Sequence, residues 1–260
     1  MSYLQIPRLS YRVTKVWLRN KDVFMKTLKL NFLPPFLEPL LYLFALGFGL
    51  GMFVENIEGV SYARFIAPAL VSVTIMYASF FECTYGSYVR MYYQKTFDAI
   101  IATPLSIEDV IAGELLWGAT RSCINACIML PVIAAFGLIE LPHSLLIIPF
   151  SLLGGLVFAS IAMCFTAIIP NINSLSYPTT LFITPMFLFS GTFFPLSVLP
   201  ETIQYFAFAL LPLTHVVNIV RALTFADLNQ FLIFDLLWLV IASLIFFVLS
   251  INLMKKRLIV

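Results

Sequence analysis

The chain has 260 residues, of which 61% are hydrophobic and only 11% are charged. A soluble globular domain has about 45–50% apolar and about 25% charged residues, so this composition excludes an ordinary soluble domain. Since one bilayer crossing takes about 20 apolar residues, the length allows six crossings with modest loops. The net charge of +2 excludes nothing, and the positions of the charges carry the information.

The first 30 residues combine basic side chains with a periodic apolar stripe. Leu9, Val13, Val16 and Trp17 recur at spacings of three and four residues, which predicts an amphipathic helix. Basic amphipathic helices lie on anionic membrane surfaces. We therefore predict a cytoplasmic interface helix in residues 1–30 and a membrane-spanning domain in residues 31–260. The basic residues are Arg8, Arg12, Lys15, Arg19, Lys21, Lys26 and Lys29.

Six apolar segments follow, and they predict an all-α membrane protein with six transmembrane helices. Their approximate bounds are 32–54, 63–81, 110–130, 144–168, 175–194 and 231–253. Six crossings place the N-terminal segment, the second and fourth connections and the C-terminal tail on one side. These regions hold seven, two, none and three of the 15 basic residues. Because Lys and Arg accumulate on the cytoplasmic side, both termini are predicted to be cytoplasmic.

Residues 195–230 are apolar but interrupted by Pro195, Pro200 and Pro212. The two pieces between these prolines, 201–211 and 214–225, are each too short to cross a bilayer. A single crossing here would also move the basic tail to the outside. The segment therefore predicts an outer re-entrant helical hairpin, which is tolerated where it is buried in protein or lines a cavity.

Ionisable side chains inside the spans are costly against lipid and should face protein or water. Glu114 and Arg121 share a helix face but lie about 10 Å apart along its axis, so Arg121 needs a partner on another helix, or water. For Glu82 and Glu114 we favour an interhelical staple. For Glu38 and Arg121, a staple and a polar substrate path both stay open.

The chain carries no recognisable catalytic motif. It lacks a GxxxxGK[ST] loop and therefore does not bind ATP through a P-loop. His143 and His215 are predicted near the outer surface, without an acid at a recognisable spacing, and are interpreted as surface or cap residues. The four cysteines lie in or beside apolar stretches, and no disulfide or metal site is predicted. We expect neither enzymatic activity in this chain nor a nucleic-acid partner.

The second connection, residues 86–105, mixes aromatic and charged residues in a helix-length stretch that stops before Pro104. Ser106, with Glu108 and Asp109 after it, is typical of the start of the next helix. A helix that is aromatic on one side and charged on the other suits docking to a soluble partner, or else lies on lipid. As an exposed element it would contribute little to the membrane core, so Phe97 and Asp98 are expected to be replaceable without loss of folding.

Four segments carry a family resemblance, in order along nearly the whole chain. They are QKTFDAIIATPL (94–105), GELLWGATR (113–121), PMFLFSGTFFP (185–195) and LPLTH (211–215). In combination they resemble ABC-2 type permeases, specifically the NodJ-like branch of nodulation-factor exporters.

The resemblance implies a permease of the bacterial inner membrane that works as a homodimer with two ATPase subunits, moving its substrate by alternating access. ATP and Mg would be bound by the ATPase, and this chain would hold no cofactor. Residues 86–105 would be the coupling helix, and the hairpin an extracellular gate. Relatives of this kind export lipo-oligosaccharides, lipid-linked saccharides or drugs. The implied ATPase-coupling residues are Tyr92, Gln94, Lys95, Thr96, Phe97 and Asp98.

The fifth span is dense in aromatic residues. Phe182, Phe189 and Phe193 are spaced by seven and four residues, which puts them on one helical face. With Glu38 and Arg121 they form our candidate path for an amphipathic glycolipid, although packing is the alternative. A second functional hypothesis is an ion-gradient-driven transporter that uses Glu38, Glu82 or Arg121. Such carriers usually show inverted internal repeats, which this sequence does not display.

Overall fold

The computed structural model describes residues 6–28, 37, 40–54, 56–57, 59–227 and 230–259. Within these residues every regular element is helical, which confirms the predicted all-α class. In chain order the helices are α1 (Val13–Lys26), α2 (Leu40–Met52), α3 (Tyr62–Tyr93), α4 (Thr96–Ile101), α5 (Ile107–Ala135), α6 (His143–Ile168), α7 (residues 172–189), α8 (Glu201–Leu210), α9 (Pro212–Phe225) and α10 (Phe231–Leu258).

Four helices in the described part of the chain, α3, α5, α6 and α10, are long and apolar enough to cross a membrane. The pair α8 and α9 would make a fifth crossing if it were one span, but the two helices are bent by 90°. α2 is shorter than a crossing, and the predicted first span begins outside the described residues. The six-crossing count therefore stays a prediction.

One end of the bundle, which we call the terminal end, gathers segments from near both chain termini. The backbone N–H of Ser10, just before α1, donates to Asp109 Oδ1 at 2.8 Å. Lys255 Nζ, near the end of α10, lies 2.7 Å from Glu108 Oε1. Both contacts are made with the first turn of α5, so the described residues nearest the two termini lie at the same end, as an even number of crossings requires.

The opposite end, which we call the hairpin end, joins the first and third connections to α9. Arg64, at the start of α3, pairs with Glu140 in the connection between α5 and α6. The Glu140 backbone N–H donates to the Thr224 carbonyl, near the end of α9, at 3.3 Å. The last turn of α9 thus lies at the end of the bundle that is remote from the termini.

The helix α1 packs along the first half of α5. Its buried face is formed by Val13, Val16, Asn20 and Phe24, at spacings of three and four residues. Gly113 of α5 permits this close approach, because a Cβ atom there would lie 2.6 Å from the Val16 Cβ. A helix therefore lies within the predicted region 1–30, and Val13 and Val16 of the predicted apolar stripe face α5. The location of α1 on a membrane surface stays a prediction.

The helix α3 continues through Tyr93, twelve residues beyond the predicted end of the second span at 81. It contains two π-helical turns, Glu82–Gly86 and Val89–Tyr93, and such turns often occur at functional sites. Two residues after α3 ends, Lys95 adopts a left-handed conformation with φ of 54° and leads into α4. The predicted coupling helix at 86–105 is therefore wrong in its extent, because its first part belongs to α3 and only α4 is separate.

The start of α5 matches its sequence signature. Ser106 Oγ accepts a hydrogen bond from the Asp109 backbone N–H at 3.1 Å, and the Asp109 carboxylate accepts from the Ser106 N–H at 3.3 Å. This reciprocal capping box fixes where the helix begins. The same carboxylate also accepts from Ser10, so the cap anchors the segment that leads into α1.

The spans differ in how much of their surface the chain itself covers. In α3, 78% of the most apolar window is buried, but in α10 only 22% is buried. α3 is therefore central, whereas the outward side of α10 presents apolar side chains to its surroundings. The most exposed of these are Phe231, Ile233, Phe234, Leu244 and Ile245.

Candidate coupling and transport site

Four charged side chains meet inside the bundle, in the half nearer the terminal end. They come from α3 and α5, and we call them the charge cluster: Glu82, Arg90, Glu114 and Arg121. Two carboxylates face two guanidinium groups, so their formal charges cancel. Buried charges are tolerated when they are paired and hydrogen-bonded. All four groups are paired here, but Nε and Nη1 of Arg121 make no hydrogen bond among the described residues.

Glu114 is the most buried member of the cluster, with 0% exposure. Its carboxylate accepts from Asn20 Nδ2 at 2.7 Å and from Ser87 Oγ at 2.8 Å. It also accepts from Arg90 Nη2 at 2.6 Å and Nε at 2.9 Å. Since Asn20 belongs to α1 and the other two donors to α3, one carboxylate of α5 joins three helices.

Glu82 binds the remaining members of the cluster. Its Oε1 accepts from Arg90 Nη1 at 2.8 Å and from Trp117 Nε1 at 3.1 Å. Arg121 Nε lies 3.4 Å from Glu82 Oε2, and its guanidinium lies over the Phe24 ring at 4.5 Å. Arg121 thus finds its partner on another helix, as predicted, and its contacts are those of an interhelical staple.

Arg19 of α1 lies at the edge of the cluster and reaches towards α4. Its Nη2 donates to Thr96 Oγ1 at 3.3 Å. Partial burial lowers the pKa of the Arg19 guanidinium, while the Glu114 carboxylate acts in the opposite direction. The helix α1 therefore contacts the cluster through Asn20 and α4 through Arg19.

The six predicted coupling residues lie in or beside α4 and differ in exposure, with Thr96 half-buried as the partner of Arg19. Tyr92, Gln94, Lys95 and Asp98 are exposed, and Lys95 Nζ lies 3.9 Å from Asp98 Oδ2. Phe97, in contrast, is fully buried in the core. The expectation that Phe97 is exposed and replaceable is therefore wrong. A six-residue helix is too short to be stable alone, and its one aromatic side chain is used to hold it on the bundle.

The structure does not bring the three aromatic residues of the predicted substrate path together on one surface. Phe182 packs on Phe165 of α6 with ring centres 5.6 Å apart, and Phe189 is exposed. The helix α7 ends at Phe189, and Gly191 follows with φ of 75°. Phe193 therefore does not share a helix face with the other two, and the predicted three-residue stripe is wrong. Its ring packs instead on Phe187 at 4.7 Å. The remaining candidate, Glu38, lies outside the described residues.

A large cavity of about 1270 Å³ lies at the hairpin end. Its walls come from α8, α9, the first turns of α10 and the turn that follows α7. They combine aromatic rings with polar side chains, among them Phe208, His215, Arg221, Asp235 and Trp238.

His215 is the buried centre of one cavity wall. Its Nδ1 lies 2.5 Å from Asp235 Oδ1 and its Nε2 lies 2.9 Å from the Phe208 carbonyl oxygen. Its ring stacks on Trp238 with centres 4.3 Å apart. The prediction of a surface histidine without a matched acid is therefore wrong. The sequence signal that could have identified the partner of His215 is Asp235, an acidic residue inside the apolar segment 231–253.

Comparison with known proteins agrees with this architecture. The sequence matches the ABC-2 type transporter family over residues 11–225. It is 38% identical to Nodulation protein J of Rhizobium meliloti (strain 1021) over 216 residues, which cover 83% of this chain and 82% of the relative.

Two further relatives extend this match. Nodulation protein J of Sinorhizobium fredii (strain NBRC 101917 / NGR234) is 32% identical over 253 residues, covering 97% of this chain and 96% of the relative. Inner membrane transport permease YadH of Escherichia coli (strain K12) is 23% identical over 71% of this chain and 72% of its own length. With its apolar helices and the family match over most of its length, this multi-pass membrane protein belongs to the ABC-2 type transporter family.

Proposed function

We propose that this chain is the membrane-spanning permease of an ATP-driven exporter, assembled as a homodimer with two copies of a separate ATPase subunit. The family supports the transport role, and the sequence offers no phosphate-binding loop, so the energy must come from a partner that binds ATP and Mg. The observation that carries the proposal is α4, a short helix with an exposed polar surface and a buried anchor between two candidate spans.

The proposed ATPase-docking surface consists of exposed residues around α4: Tyr92, Tyr93, Gln94, Lys95 and Asp98. Phe97 would fix this surface to the bundle, since its ring is fully buried. The polypeptide before α4 is the end of α3, which carries Arg90. A displacement of α4 by the ATPase would therefore act on the charge cluster and, through Glu114, on α1 and α5 together.

The proposed topology has six crossings, with α2 and α7 added to the four long helices, and with α8 and α9 as a re-entrant hairpin. The 90° bend between α8 and α9 supports the hairpin. The contact of Glu140 with Thr224 supports a position of this hairpin at the end remote from the termini. The concentration of basic residues near the terminal end favours a cytoplasmic location for it, in the inner membrane of a bacterium.

The proposed substrate is an amphipathic molecule such as a lipo-oligosaccharide, a lipid-linked saccharide or a drug. Lipo-oligosaccharides come first because of the similarity to Nodulation protein J. Phe189 remains our candidate for the transport path, since it is exposed. Phe182, Phe193 and Arg121 are packed against other side chains, so for these residues we now favour a structural role over direct contact with substrate.

An ion-gradient-driven carrier is less well supported. It would need Glu82 or Arg121 to exchange an ion during transport, yet both are held within the neutral charge cluster. Glu38 lies outside the described residues.

The decisive experiment is to purify the chain with and without its ATPase. The permease alone should hydrolyse no ATP, and it should stimulate the ATPase when the two are combined in membranes. Asp98→Lys should reduce this stimulation without changing thermal stability, because Asp98 is exposed. Glu201→Lys, a matched charge reversal at the exposed start of α8, should leave the stimulation unchanged.

Two results would contradict the proposal. ATP hydrolysis by the pure permease would contradict the need for a partner. Normal stimulation by Asp98→Lys and by a second variant, Lys95→Glu, would contradict docking at α4. Phe97→Ala serves as the stability control, since removing a buried Phe side chain costs about 3–5 kcal/mol.

A further inference from the structure

Two buried side chains lie between the two π-helical turns of α3. Ser87 is 0% exposed and Tyr88 is 1% exposed. Successive residues of a helix point about 100° apart, and here they reach different neighbours. Ser87 donates to Glu114 of α5 in the charge cluster, whereas Tyr88 contacts the end of α6 and a side chain of α10. The last turns of α3 therefore have two separate sets of partners.

Tyr88 helps to hold the carboxyl end of α6. Its hydroxyl group donates to the Pro170 carbonyl oxygen at 2.9 Å, and the Arg257 guanidinium of α10 lies 5.4 Å from the centre of its ring. Arg257 Nη1 donates in turn to the Ile169 carbonyl oxygen at 2.6 Å and to the carbonyl oxygen of Thr166. The last carbonyl groups of a helix lack partners within it, so Tyr88 and Arg257 supply donors where α6 ends.

A third contact joins α6 to the first π-helical turn of α3. Thr166 Oγ1 donates to the Cys83 carbonyl oxygen at 2.8 Å. The helices α3, α6 and α10 thus meet where Tyr88, Thr166 and Arg257 donate to one another's neighbours, and we call these three residues the Tyr88 junction. Pro170 lies two residues before α7 begins, so the polypeptide that Tyr88 binds leads directly into α7.

The Tyr88 junction is continuous with the proposed ATPase-docking surface. The Tyr88 ring stacks on the Tyr92 ring with centres 5.7 Å apart and lies 6.5 Å from the Tyr93 ring. Tyr92 and Tyr93 belong to that surface and are 54% and 59% exposed. Closely packed interiors have low compressibility and transmit strain. A movement of these two exposed rings therefore displaces the buried ring behind them.

We propose that Tyr88 is a positioning residue that carries a displacement of the docking surface to α6, α7 and α10. The inference rests on the proposed docking of an ATPase at α4. It adds a second route to the one through the charge cluster, which leads from Ser87 and Glu114 to α1 and α5. One movement at the end of α3 then reaches α1 and α5 by the first route and α6, α7 and α10 by the second.

The test measures how two positions, one on each route, respond to ATP. The full-length permease is reconstituted with its ATPase in lipid nanodiscs, after the more accessible native thiols are removed by Cys123→Ser and Cys127→Ser. A nitroxide is attached either at Asn173→Cys, at the start of α7, or at Asp22→Cys in α1, and both positions are exposed. Electron paramagnetic resonance spectra with and without ATP give the response of each position.

Two variants that each remove one hydroxyl group separate the routes. Tyr88→Phe should reduce the response at position 173 by about two- to tenfold, the range that one hydrogen bond controls. It should leave the response at position 22 unchanged and lower the amount transported per ATP hydrolysed. Ser87→Ala should reduce the response at position 22 and leave that at position 173 unchanged. Tyr177→Phe is the matched control and should change neither response, since it removes the same group from a ring that is 65% exposed.

A purely structural role would give a different pattern. If Tyr88→Phe lowered both responses together, in proportion to a fall in melting temperature, the proposal would be overturned. Wild-type responses at position 173 in Tyr88→Phe and also in Arg257→Gln, a second variant that weakens the junction, would overturn it as well. If Asp98→Lys stimulates the ATPase normally, docking at α4 and the positioning role fail together. Normal docking with an unchanged response at position 173 rejects the positioning role alone.

Discussion

The charge cluster and the His215–Asp235 pair both place ionisable groups inside the same apolar bundle, yet they differ in the side chain that faces the carboxylate. In the cluster, both cations are arginines, which keep their protons at any pH that a protein tolerates. In the pair, Asp235 faces a histidine, a side chain that can be neutral or charged. The charges of the cluster are therefore fixed, whereas the charge of the pair depends on how many protons the histidine ring carries. We call the cluster the fixed joint and the pair the conditional joint. The difference follows from side-chain chemistry, since both sites are buried and both join three helices.

The largest loss of stability is expected when a carboxylate of the fixed joint is replaced by an amide. Glu114→Gln leaves Arg90 with only Glu82 as a counter-charge inside the bundle, and an arginine cannot escape by losing its proton. We expect a loss of about 3–5 kcal/mol in the free energy of unfolding. The measurement is thermal or denaturant unfolding in detergent. A loss of less than about 1 kcal/mol would mean that water reaches the cluster and that it is not a fixed joint.

A smaller loss of stability is expected when the carboxylate of the conditional joint is replaced by an amide. In Asp235→Asn, the Asn amide can donate to Nδ1 of a neutral imidazole, whose Nε2–H still bonds to the Phe208 carbonyl. We expect a loss of about 1–3 kcal/mol at neutral pH, because a hydrogen bond to a charged group is replaced by a neutral one.

The measurement is the same unfolding assay, applied to both variants. A loss of stability as large as that of Glu114→Gln would remove the contrast between the two joints.

The smallest effect is expected where charges are paired but accessible to solvent. Arg64 and Glu140 form an ion pair at the hairpin end, with 35% and 51% of their side chains exposed. Glu140→Gln should cost less than about 1 kcal/mol, since exposed pairs gain little over their hydration. The same unfolding assay applies. A loss as large as that of Glu114→Gln would show that burial is not what separates these sites.

Much of the helical architecture was predictable because its signals are local. The capping box at Ser106 and Asp109 places the start of α5, and prolines 200 and 212 bracket α8 and begin α9. Each signal lies within a few residues of the feature that it predicts. The apolar stripe in residues 1–30 likewise predicted an amphipathic helix, since the periodicity of apolar residues alone defines the face.

The connections within the sites were not predictable, because their partners are distant in sequence. Asn20 donates to Glu114 across 94 positions, and His215 meets Asp235 across 20 positions on another helix. A charged residue in an apolar segment indicates that a partner exists but does not identify it. Phe97 was misplaced for a related reason, since amphipathic patterning in a short helix does not reveal which side the bundle will cover.

By itself, the amino-acid sequence determined the class of the protein, because hydrophobic content, the spacing of prolines and the distribution of basic residues act directly on insertion into a membrane. It also determined the family, since the matching segments run through the chain in order. Only the tertiary structure decided that α1 packs on α5, that Arg121 pairs with Glu82 and that His215 is buried against an acid. Those outcomes depend on which helix faces meet, and helix packing is set by side-chain shape and close approach, such as that allowed by Gly113, rather than by local sequence pattern.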